Sequence, residues 1–198
     1  MTGTAVQTTS FAAKTRESLS PNGRLLASLS GDEGAFKILV EDVEQHRTVC
    51  ELQYSGNTLS TLVWSPNSKR LAAGGGGQFD VWDISLGQRL FTWQGPSIQA
   101  ASWASDNSRL AIAGGGDSTD NGAQAYMGHV HVFDIERKIK LLKVRLGSLR
   151  TIATAVAWHP NGESIVAGNE SGQVEVWDAE TGRSWMKAQM HVATSQDR

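Results

Sequence analysis

Two runs of glycine are the first stretches of this sequence that invite a chemical interpretation, because glycine-rich loops can cradle phosphate groups. Residues 74–77 are all glycine, as are residues 114–116. Neither run fits the phosphate-loop pattern G-x-x-x-x-G-K-[ST], and neither lies between a strand and the start of a helix. We interpret both runs as tight turns between strands.

Metal binding is the next chemistry to consider. In the segment 129–132, HVHV, the two histidines are two residues apart, so in a strand they share one face and could meet the same ion. No third ligand is evident nearby, and this alternation is typical of an ordinary half-buried strand. Asp117, Asp120 and Asn121 have oxygens suited to calcium, but their spacing misses the EF-hand pattern. We predict no metal ion and no cofactor.

Signatures of catalysis are missing from the sequence. It contains no G-x-S-x-G, H-E-x-x-H or C-x-x-C motif. Asp83, Asp134 and Asp178 recur at comparable places, each at the end of a strand where a turn begins, and aspartate there accepts hydrogen bonds from backbone amides. Such repetition indicates structure, since a catalytic site is needed once. We predict no catalytic residue and no enzymatic activity.

One part of the chain is rich in basic residues that alternate with apolar ones. The cluster comprises Arg137, Lys138, Lys140, Lys143, Arg145 and Arg150. Two interpretations stay open. The segment is an outer strand whose lysines discourage pairing with other molecules, or it is a patch that binds an acidic protein partner.

The loop 114–128, GGGDSTDNGAQAYMG, is longer than a strand-to-strand turn requires. Tyr126 and Met127 lie there among polar residues and glycines. Long loops on rigid scaffolds often carry recognition, and both residue types are useful in contacts with proteins. A disordered insertion is the alternative. We list Tyr126, Met127, Arg137, Lys138, Lys140, Lys143 and Arg145 as candidate partner-binding residues.

The composition is that of an ordinary soluble globular protein. The chain has 198 residues, of which 39% are hydrophobic and 19% charged. A net charge of −2 gives no case for nucleic acid or an anionic membrane as partner. One cysteine, Cys50, excludes an internal disulfide and fits a reducing compartment. Without a signal peptide or an apolar run of membrane-spanning length, we predict a cytoplasmic protein.

The elements that position these residues are clearest in residues 151–182. Ala153–Trp158 is apolar, His159–Gly162 is a turn, and Ser164–Ala167 is a second apolar run. A second turn leads to Val174–Asp178, where valines alternate with polar residues as in a half-buried strand. This stretch therefore predicts three strands joined by tight turns, and other parts of the chain have the same plan.

The order of these parts resembles the WD-repeat β-propeller family. The residues that carry the resemblance are Trp158-His159-Pro160-Asn161-Gly162, Ile165–Gly168, Val174–Asp178 and Thr181-Gly182. Several parts in a fixed order at a regular period make the match specific, whereas a Trp-Asp dipeptide alone would not. The resemblance implies an all-β fold, a β-propeller or partial propeller of about four four-stranded blades.

We divide the chain into a disordered tail at 1–10, blades at about 11–54, 55–94, 95–146 and 147–190, and residues 191–198 as a tail or the start of a further blade. Ser20, Ser65, Ser105 and His159 are assigned to the same position of the repeat. The first repeat is degenerate, because Val40-Glu41 stands where Trp-Asp is expected. Charged residues at 14–17 predict that this blade is partial or lacks its innermost strand.

Closure of the ring is an open question at this point. The resemblance implies seven or eight blades, and a fan of four would leave apolar blade faces in water. The solutions are a tight four-bladed ring, remaining blades that lie elsewhere, or two copies that form one ring with two-fold symmetry. We expect a partial propeller whose ring is completed by something else. We therefore predict a second chain or a second copy among its partners, besides other proteins.

The family implies partner binding through the loops that connect blades. We therefore predict a non-catalytic protein-protein interaction scaffold. The alternatives are a structural half of a larger or homo-oligomeric propeller, and an enzyme or ligand-binding propeller with a site in the central channel. In the family, Gly-His enters each blade and its histidine bonds the strand tryptophan. Here Gly128-His129 precedes a third strand instead, so Trp82 and Trp177 are expected to depend on packing.

Overall fold

The computed structural model describes residues 17–31, 36–116, 127–147 and 151–190. Within them lie sixteen strands in four antiparallel sheets of four. Sheet 1 contains β1 (Glu17–Leu19), β2 (Leu25–Ser30), β3 (Lys37–Asp42) and β4 (Arg47–Gln53). Sheet 2 contains β5 (Thr61–Trp64), β6 (Arg70–Gly75), β7 (Gln78–Asp83) and β8 (Gln88–Gln94). Sheet 3 contains β9 (Ser97–Trp103), β10 (Arg109–Gly115), β11 (Gly128–Asp134) and β12 (Ile139–Leu146). Sheet 4 contains β13 (Ala153–Trp158), β14 (Ser164–Asn169), β15 (Gln173–Asp178) and β16 (Ser184–Gln189).

Each sheet is a meander in which strands adjacent in the chain pair with each other. This confirms the predicted all-β fold of four four-stranded blades. The first blade has its innermost strand, β1, so the expectation that this strand is missing was wrong. The described part of β1 comprises three residues, and Lys14 and Arg16 lie outside the described residues. Within the described residues, no helix has the length and apolarity needed to cross a membrane.

The turn after each innermost strand has the same hydrogen bonds in all four sheets. In sheet 2, the backbone N–H of Ser65 donates to the carbonyl of Arg70 at 2.9 Å. The corresponding donor in sheet 3 is Ala104, which bonds Arg109 at 2.9 Å, and not Ser105. The assignment of Ser105 was therefore one residue late. Serine is not required at this position, because the bonds that define the turn come from the backbone.

The fourth residue of this turn has a positive φ, which glycine adopts most easily. Glycine is present in sheets 1 and 4, whereas Ser68 and Asn107 have φ of 61° and 63° in sheets 2 and 3. These two side chains bond the turn of the preceding sheet. Ser68 Oγ accepts from the N–H of Asn22 at 3.2 Å, and Asn107 Oδ1 accepts from the N–H of Asn67 at 2.8 Å. The strained residues thus link neighbouring blades.

The strand pairing corrects the alignment of the first repeat. Asp42 pairs with Leu25 as Asp83 pairs with Arg70. Glu41-Asp42, rather than Val40-Glu41, therefore stands at the Trp-Asp position. The aspartate is retained and only the tryptophan is replaced, by a glutamate.

The sheets pack face to face in chain order. Each innermost strand lies across the preceding sheet, and the close contacts join sheet 1 to 2, 2 to 3 and 3 to 4. We call the side of a sheet that contacts the next sheet its forward face and the other side its backward face. Three apolar cores fill the three contacts. Among the described strands, none of the close packing joins sheet 1 to sheet 4, so the four sheets do not form a tight ring.

A tryptophan ends the innermost strand of sheets 2, 3 and 4. Trp64 Nε1 donates to the carbonyl of Ser18 at 2.9 Å, and Trp103 Nε1 donates to that of Val63 at 3.3 Å. Both acceptors lie on the preceding innermost strand. Trp158 has a different partner, the Arg109 guanidinium, which lies 4.7 Å from the centre of its ring.

Every outer strand contains a β-bulge at the same register. In sheet 3, Val132 pairs with Leu142 but the next residue, Phe133, pairs with Lys140, so Leu141 is left without a partner. The residues skipped in the same way in the other outer strands are Val49, Leu90 and Trp185.

Candidate partner-binding surface

The predicted basic residues lie on the outer edge of sheet 3. Lys140, Lys143 and Arg145 belong to β12, and all three are exposed. Arg137 and Lys138 lie in the preceding turn, where the Arg137 Nε is 3.7 Å from Asp134 Oδ2. Arg150, the sixth member of the cluster, lies outside the described residues.

The bulge decides which of these side chains lie together. In a regular strand, residues three apart point to opposite faces. Because Leu141 is skipped, Lys140 pairs with Phe133 while Lys143 and Arg145 pair with His131 and His129. The basic residues at 140, 143 and 145 therefore share the backward face of β12. We call these three residues the basic edge.

The other face of β12 belongs to the core. Val144 and Leu146 are buried, and Leu142 packs against the same cluster, which lies between sheets 3 and 4. Ile139 and Leu141 are 46% and 41% exposed at the rim. The strand is thus anchored by its forward face and presents the three cations on its backward face, while Ile139, which pairs with Asp134, and the skipped Leu141 are exposed at the rim. An edge of this kind is suited to contact with a protein.

An aromatic group lies beside the basic edge. The ring of Trp93, on the outer strand of sheet 2, is 5.1 Å from that of His131 and 5.4 Å from that of Phe133. Trp93 is half-buried. Trp93 is distant from β12 in the sequence, and only the contact of its ring with His131 and Phe133 of β11 brings it near the basic edge.

The long loop is described only at its ends. Tyr126 lies outside the described residues, as do Asp117, Asp120 and Asn121. Met127 is half-buried and directly precedes β11. β11 pairs with β12, so Met127 and Arg145 lie toward the same end of the sheet. At the other run, Gly76 and Gly77 have φ of 52° and 89° and form the turn between β6 and β7, as predicted. Gly74 and Gly75 belong to β6, and Gly114 and Gly115 belong to β10, so the glycine runs are turns only in part.

His129 and His131 share one face of β11, as the alternation predicts. Their ring centres are 6.0 Å apart, both residues are buried, and His131 stacks on Phe133. The cross-strand neighbours are Arg145 and Lys143, whose positive charges oppose a metal cation. Within the described residues, no group of three histidine, cysteine, aspartate or glutamate side chains is arranged to hold a metal ion.

Two buried carboxylates were not anticipated from the sequence. Asp80 accepts from Thr92 Oγ1 at 2.6 Å and lies 3.4 Å from an Arg89 nitrogen. Glu175, at the equivalent place in sheet 4, lies 3.0 Å from Lys187 Nζ. Each carboxylate has a cation on the adjacent outer strand. The ion pairs offset the free energy cost of burying a negative charge, so we interpret them as structural. A single acidic residue inside an alternating strand gives no signal of such pairing.

Buried hydroxyl and thiol groups have raised pKa values. Burial, with a smaller contribution from the Asp80 charge, raises the pKa of Tyr54, whose hydroxyl donates to the Thr58 carbonyl at 2.8 Å. Burial also raises the pKa of the Cys50 thiol. Neither group is activated as a nucleophile, since activation requires a lowered pKa or an adjacent base.

A site in the central channel would need charged residues on several innermost strands. Among the described residues of β1, β5, β9 and β13, the charged side chain is Glu17. The remaining positions are apolar or neutral polar. The exposed charges of sheet 3 lie instead at its outer edge, far from the innermost strands.

The fold is that of a β-propeller repeat protein: four repeated meanders share the same turns, and sheets 2, 3 and 4 each end their innermost strand with a tryptophan. A family model described as "WD domain, G-beta repeat" matches residues 48–83 and 141–178. These two matches agree with the resemblance to the WD-repeat family that the sequence predicted. The two matched segments each run from an outer strand into the following sheet.

Relatives of known name have similar sequences. The chain is 26% identical over 165 residues to eukaryotic translation initiation factor 3 subunit I of Lodderomyces elongisporus, covering 73% of the chain and 45% of that protein. The same subunit of Candida albicans is 25% identical over 193 residues, covering 90% and 46%. The chain therefore spans about half the length of these relatives.

A solved structure has the same fold. The chain superimposes on the crystal structure of the Myceliophteria thermophila Cps50 (Swd1) β-propeller domain with a TM-score of 0.69. The sequences are 18% identical, and the match covers 88% of this chain and 54% of the other. At this identity the likeness supports the fold alone.

Proposed function

We propose that this protein is a non-catalytic scaffold that binds an acidic segment of another protein through the basic edge. The observation that carries the proposal is the gathering of Lys140, Lys143 and Arg145 on one face by the bulge in β12. Trp93, whose ring contacts His131 and Phe133, adds apolar area beside the same face. Ile139 and Leu141 are exposed on the same strand. Arg137 and Lys138 in the preceding turn, and Met127 toward the other end of the sheet, are further candidate contacts. Tyr126, which lies outside the described residues, is a candidate from the sequence alone.

The placement of the three cations on one face distinguishes a binding surface from an edge strand that only prevents aggregation. A protective edge needs a charge somewhere along the strand, on either face. Three cations on one face, with an aromatic ring next to them, form a surface of one sign that attracts acidic groups and orients them. The buried opposite face of β12 fixes the backbone from which the cations project, so the entropy cost of binding falls mainly on their side chains.

The relatives support a role in assembly. Those of known name are subunits of a translation initiation factor, and a subunit works by contact with other proteins. We extend to this chain a protein partner and a cytoplasmic location, where translation takes place.

Charge reversal tests the basic edge. The double variant K140E/R145E reverses two exposed cations of one face, and a fluorescent polyglutamate peptide serves as the acidic probe. We expect the variant to bind the peptide at least about tenfold more weakly than the unmodified chain, with binding that falls as salt rises. Fluorescence anisotropy at low and at physiological salt gives both quantities.

The matched control is K69E/R183E, which makes the same change in net charge at two exposed positions outside sheet 3. The control should bind the peptide nearly as well as the unmodified chain. Equal weakening in both variants would mean that net charge matters and that the basic edge does not.

A further inference from the structure

The forward face of sheet 4 is apolar and lacks a covering sheet among the described residues. Val166 and Val176 pair with each other on this face, and Met186 is the outer partner of Val176. Gly168, Val174 and Ala188 form the second row. Ala155 and Ala157 of β13 complete the face, and both are exposed.

The same rows occur in the other three sheets, where the next sheet covers them. The row Val166–Val176–Met186 corresponds to Ala27–Val40–Cys50, Ala72–Val81–Phe91 and Ala111–Val132–Leu142. Val40, Val81 and Val132 are each 0% exposed, whereas Val176 is only half-buried. The fourth face is thus equivalent in pattern to three faces that a blade buries.

The backward faces of sheets 2, 3 and 4 show which residues cover such a row on the preceding sheet. The residues that sheets 2, 3 and 4 present to the preceding sheet are Trp64, Leu71 and Trp82, then Trp103, Leu110 and Phe133, then Trp158, Ile165 and Trp177. Each set has a tryptophan, an aliphatic residue and an aromatic residue. Sheet 1 has Leu19, Leu26 and Glu41 at these positions.

The backward face of sheet 1 is also charged. Glu17, Glu41 and Glu51 lie on it with one lysine, Lys37, which bonds Glu51 at 3.1 Å. Packing this face on the apolar forward face of sheet 4 would bury the carboxylates of Glu17 and Glu41, for which no cationic partner lies on this face besides Lys37, already paired with Glu51. Such burial is costly. Two copies that close one ring would need two such contacts.

We infer that the forward face of sheet 4 is a docking surface for a partner blade of WD type, one whose backward face carries tryptophan, an aliphatic residue and a second aromatic residue. The first sheet of a second copy is not the occupant, because Glu41 replaces the second aromatic residue there. The two ends of the fan therefore differ: sheet 4 accepts a blade by apolar packing, and sheet 1 does not offer the matching surface.

Thiol labelling of a fused blade tests this inference. The second repeat, residues 55–94, is appended to the chain as the partner blade, because its backward face has Trp64, Leu71 and Trp82. The reporter is V176C in a C50A background, and its rate of reaction with a maleimide is measured. We expect labelling at least about tenfold slower than in the unfused chain, as for a site that reacts only after local opening.

Two further fusions make the result decisive. Residues 17–54, the first repeat, form the matched control, and this fusion should leave the labelling rate of V176C almost unchanged. Residues 95–146 supply Trp103, Leu110 and Phe133 and should protect the thiol as the second repeat does. Labelling of V132C, which sheet 4 already covers, gives the rate for a covered position.

Protection by neither the second nor the third repeat would overturn the inference, as would equal protection by the first. Sedimentation of the unfused chain tests whether a second copy of the chain occupies this face. A dimer that V176K dissociates would show that a second copy covers this face, and the assignment of a partner blade would be wrong. A monomer at all concentrations, with protection only in the two fusions, is the expected result.

Discussion

At the scale of single residues, the turns between the third and fourth strands show how the sequence accommodates one backbone geometry with different side chains. The last residue of this turn has a positive φ in every sheet: 48° at His46, 61° at Gly87, 58° at Lys138 and 71° at Gly182. Glycine adopts this conformation without strain, whereas other L-residues lose stability there. His46 and Lys138 are therefore strained for no gain in buried contact, since both are exposed.

Replacing His46 by glycine should stabilise the protein. We expect H46G to raise the free energy of unfolding by about 0.5–1 kcal/mol, because relief of strain exceeds the extra freedom of the unfolded chain. Urea denaturation measures the change. The control is G87A, whose added Cβ would meet Cys50 Cβ at 3.9 Å, an ordinary contact. G87A should lose about 1 kcal/mol through strain alone. A loss of stability in H46G would show that the histidine side chain contributes there.

The aspartates that begin these turns make stability depend on pH. Backbone bonds from Thr181 and Glu180, with the Thr181 hydroxyl, lower the pKa of Asp178. The Ser85 hydroxyl and the Leu86 amide lower the pKa of Asp83, and the Gln45 amide and Arg24 lower that of Asp42. A folded-state pKa below the unfolded value means that stability is present above about pH 4 and is lost as pH falls through the folded pKa.

Removing the charge should weaken this acid dependence. In D83N/D178N the amide oxygen can still accept the backbone bonds, but it does not titrate. We expect the urea midpoint of the unmodified chain to drop between about pH 5 and pH 3, and that of the variant to drop less. Parallel curves for the two proteins would place the acid-sensitive groups elsewhere.

At the scale of elements, the tryptophan at the end of each innermost strand links one strand to the one before it. W64F removes the indole N–H that donates to the Ser18 carbonyl at 2.9 Å. W158F removes an N–H that is buried without a hydrogen-bond partner among the described residues. We expect W64F to cost about 1 kcal/mol more than W158F, the net value of one hydrogen bond. Thermal or urea unfolding of both variants gives the comparison, and equal losses would mean that ring volume alone matters.

Strands and turns could be predicted from the sequence because both signals are local. Alternating valines mark β15, and proline or glycine marks the turns that precede β6 and β14. Positions were less secure where the marker residue is not the one that forms the bonds. The turn position predicted for Ser105 belongs to Ala104. The Trp-Asp position of the first repeat, predicted at Val40-Glu41, lies one residue later. Strand pairing decides both, and it depends on residues distant in the chain.

The candidate surface was only partly predictable for the same reason. Basic residues in an edge strand are visible in the sequence, but their common face depends on the bulge at Leu141. Without the bulge, Lys140 and Lys143 would point to opposite sides. Trp93 enters the surface from another sheet, and the ion pairs of Asp80 and Glu175 join adjacent strands. Contacts of this kind need the fold before they can be recognised.

At the scale of the whole molecule, the sheets differ in how much of each is covered. Among the described residues, sheets 2 and 3 are packed on both faces, whereas sheets 1 and 4 are packed on one. In repeat proteins stability is close to a sum of each repeat and its contacts with neighbours, so the two terminal sheets have one contact fewer.

Amide hydrogen exchange should follow this difference. We expect β6, β7, β10 and β11 to exchange most slowly, and β2, β3, β14 and β15 to exchange faster although they have the same internal pairing. Mass spectrometry of peptides from each sheet measures the rates. Uniform protection along the chain would indicate that the four sheets open as one cooperative unit.

The bulge that repeats in β4, β8, β12 and β16 affects the tendency of the protein to aggregate at high concentration. An outer strand with an unbroken row of free amides and carbonyls is a template on which another molecule can extend the sheet, the first step toward fibrils. Here the row is interrupted at Val49, Leu90, Leu141 and Trp185, and the strand bends and twists at each interruption. The bulge that places three cations on one face of sheet 3 thus also opposes edge-to-edge pairing between the outer strands of different molecules.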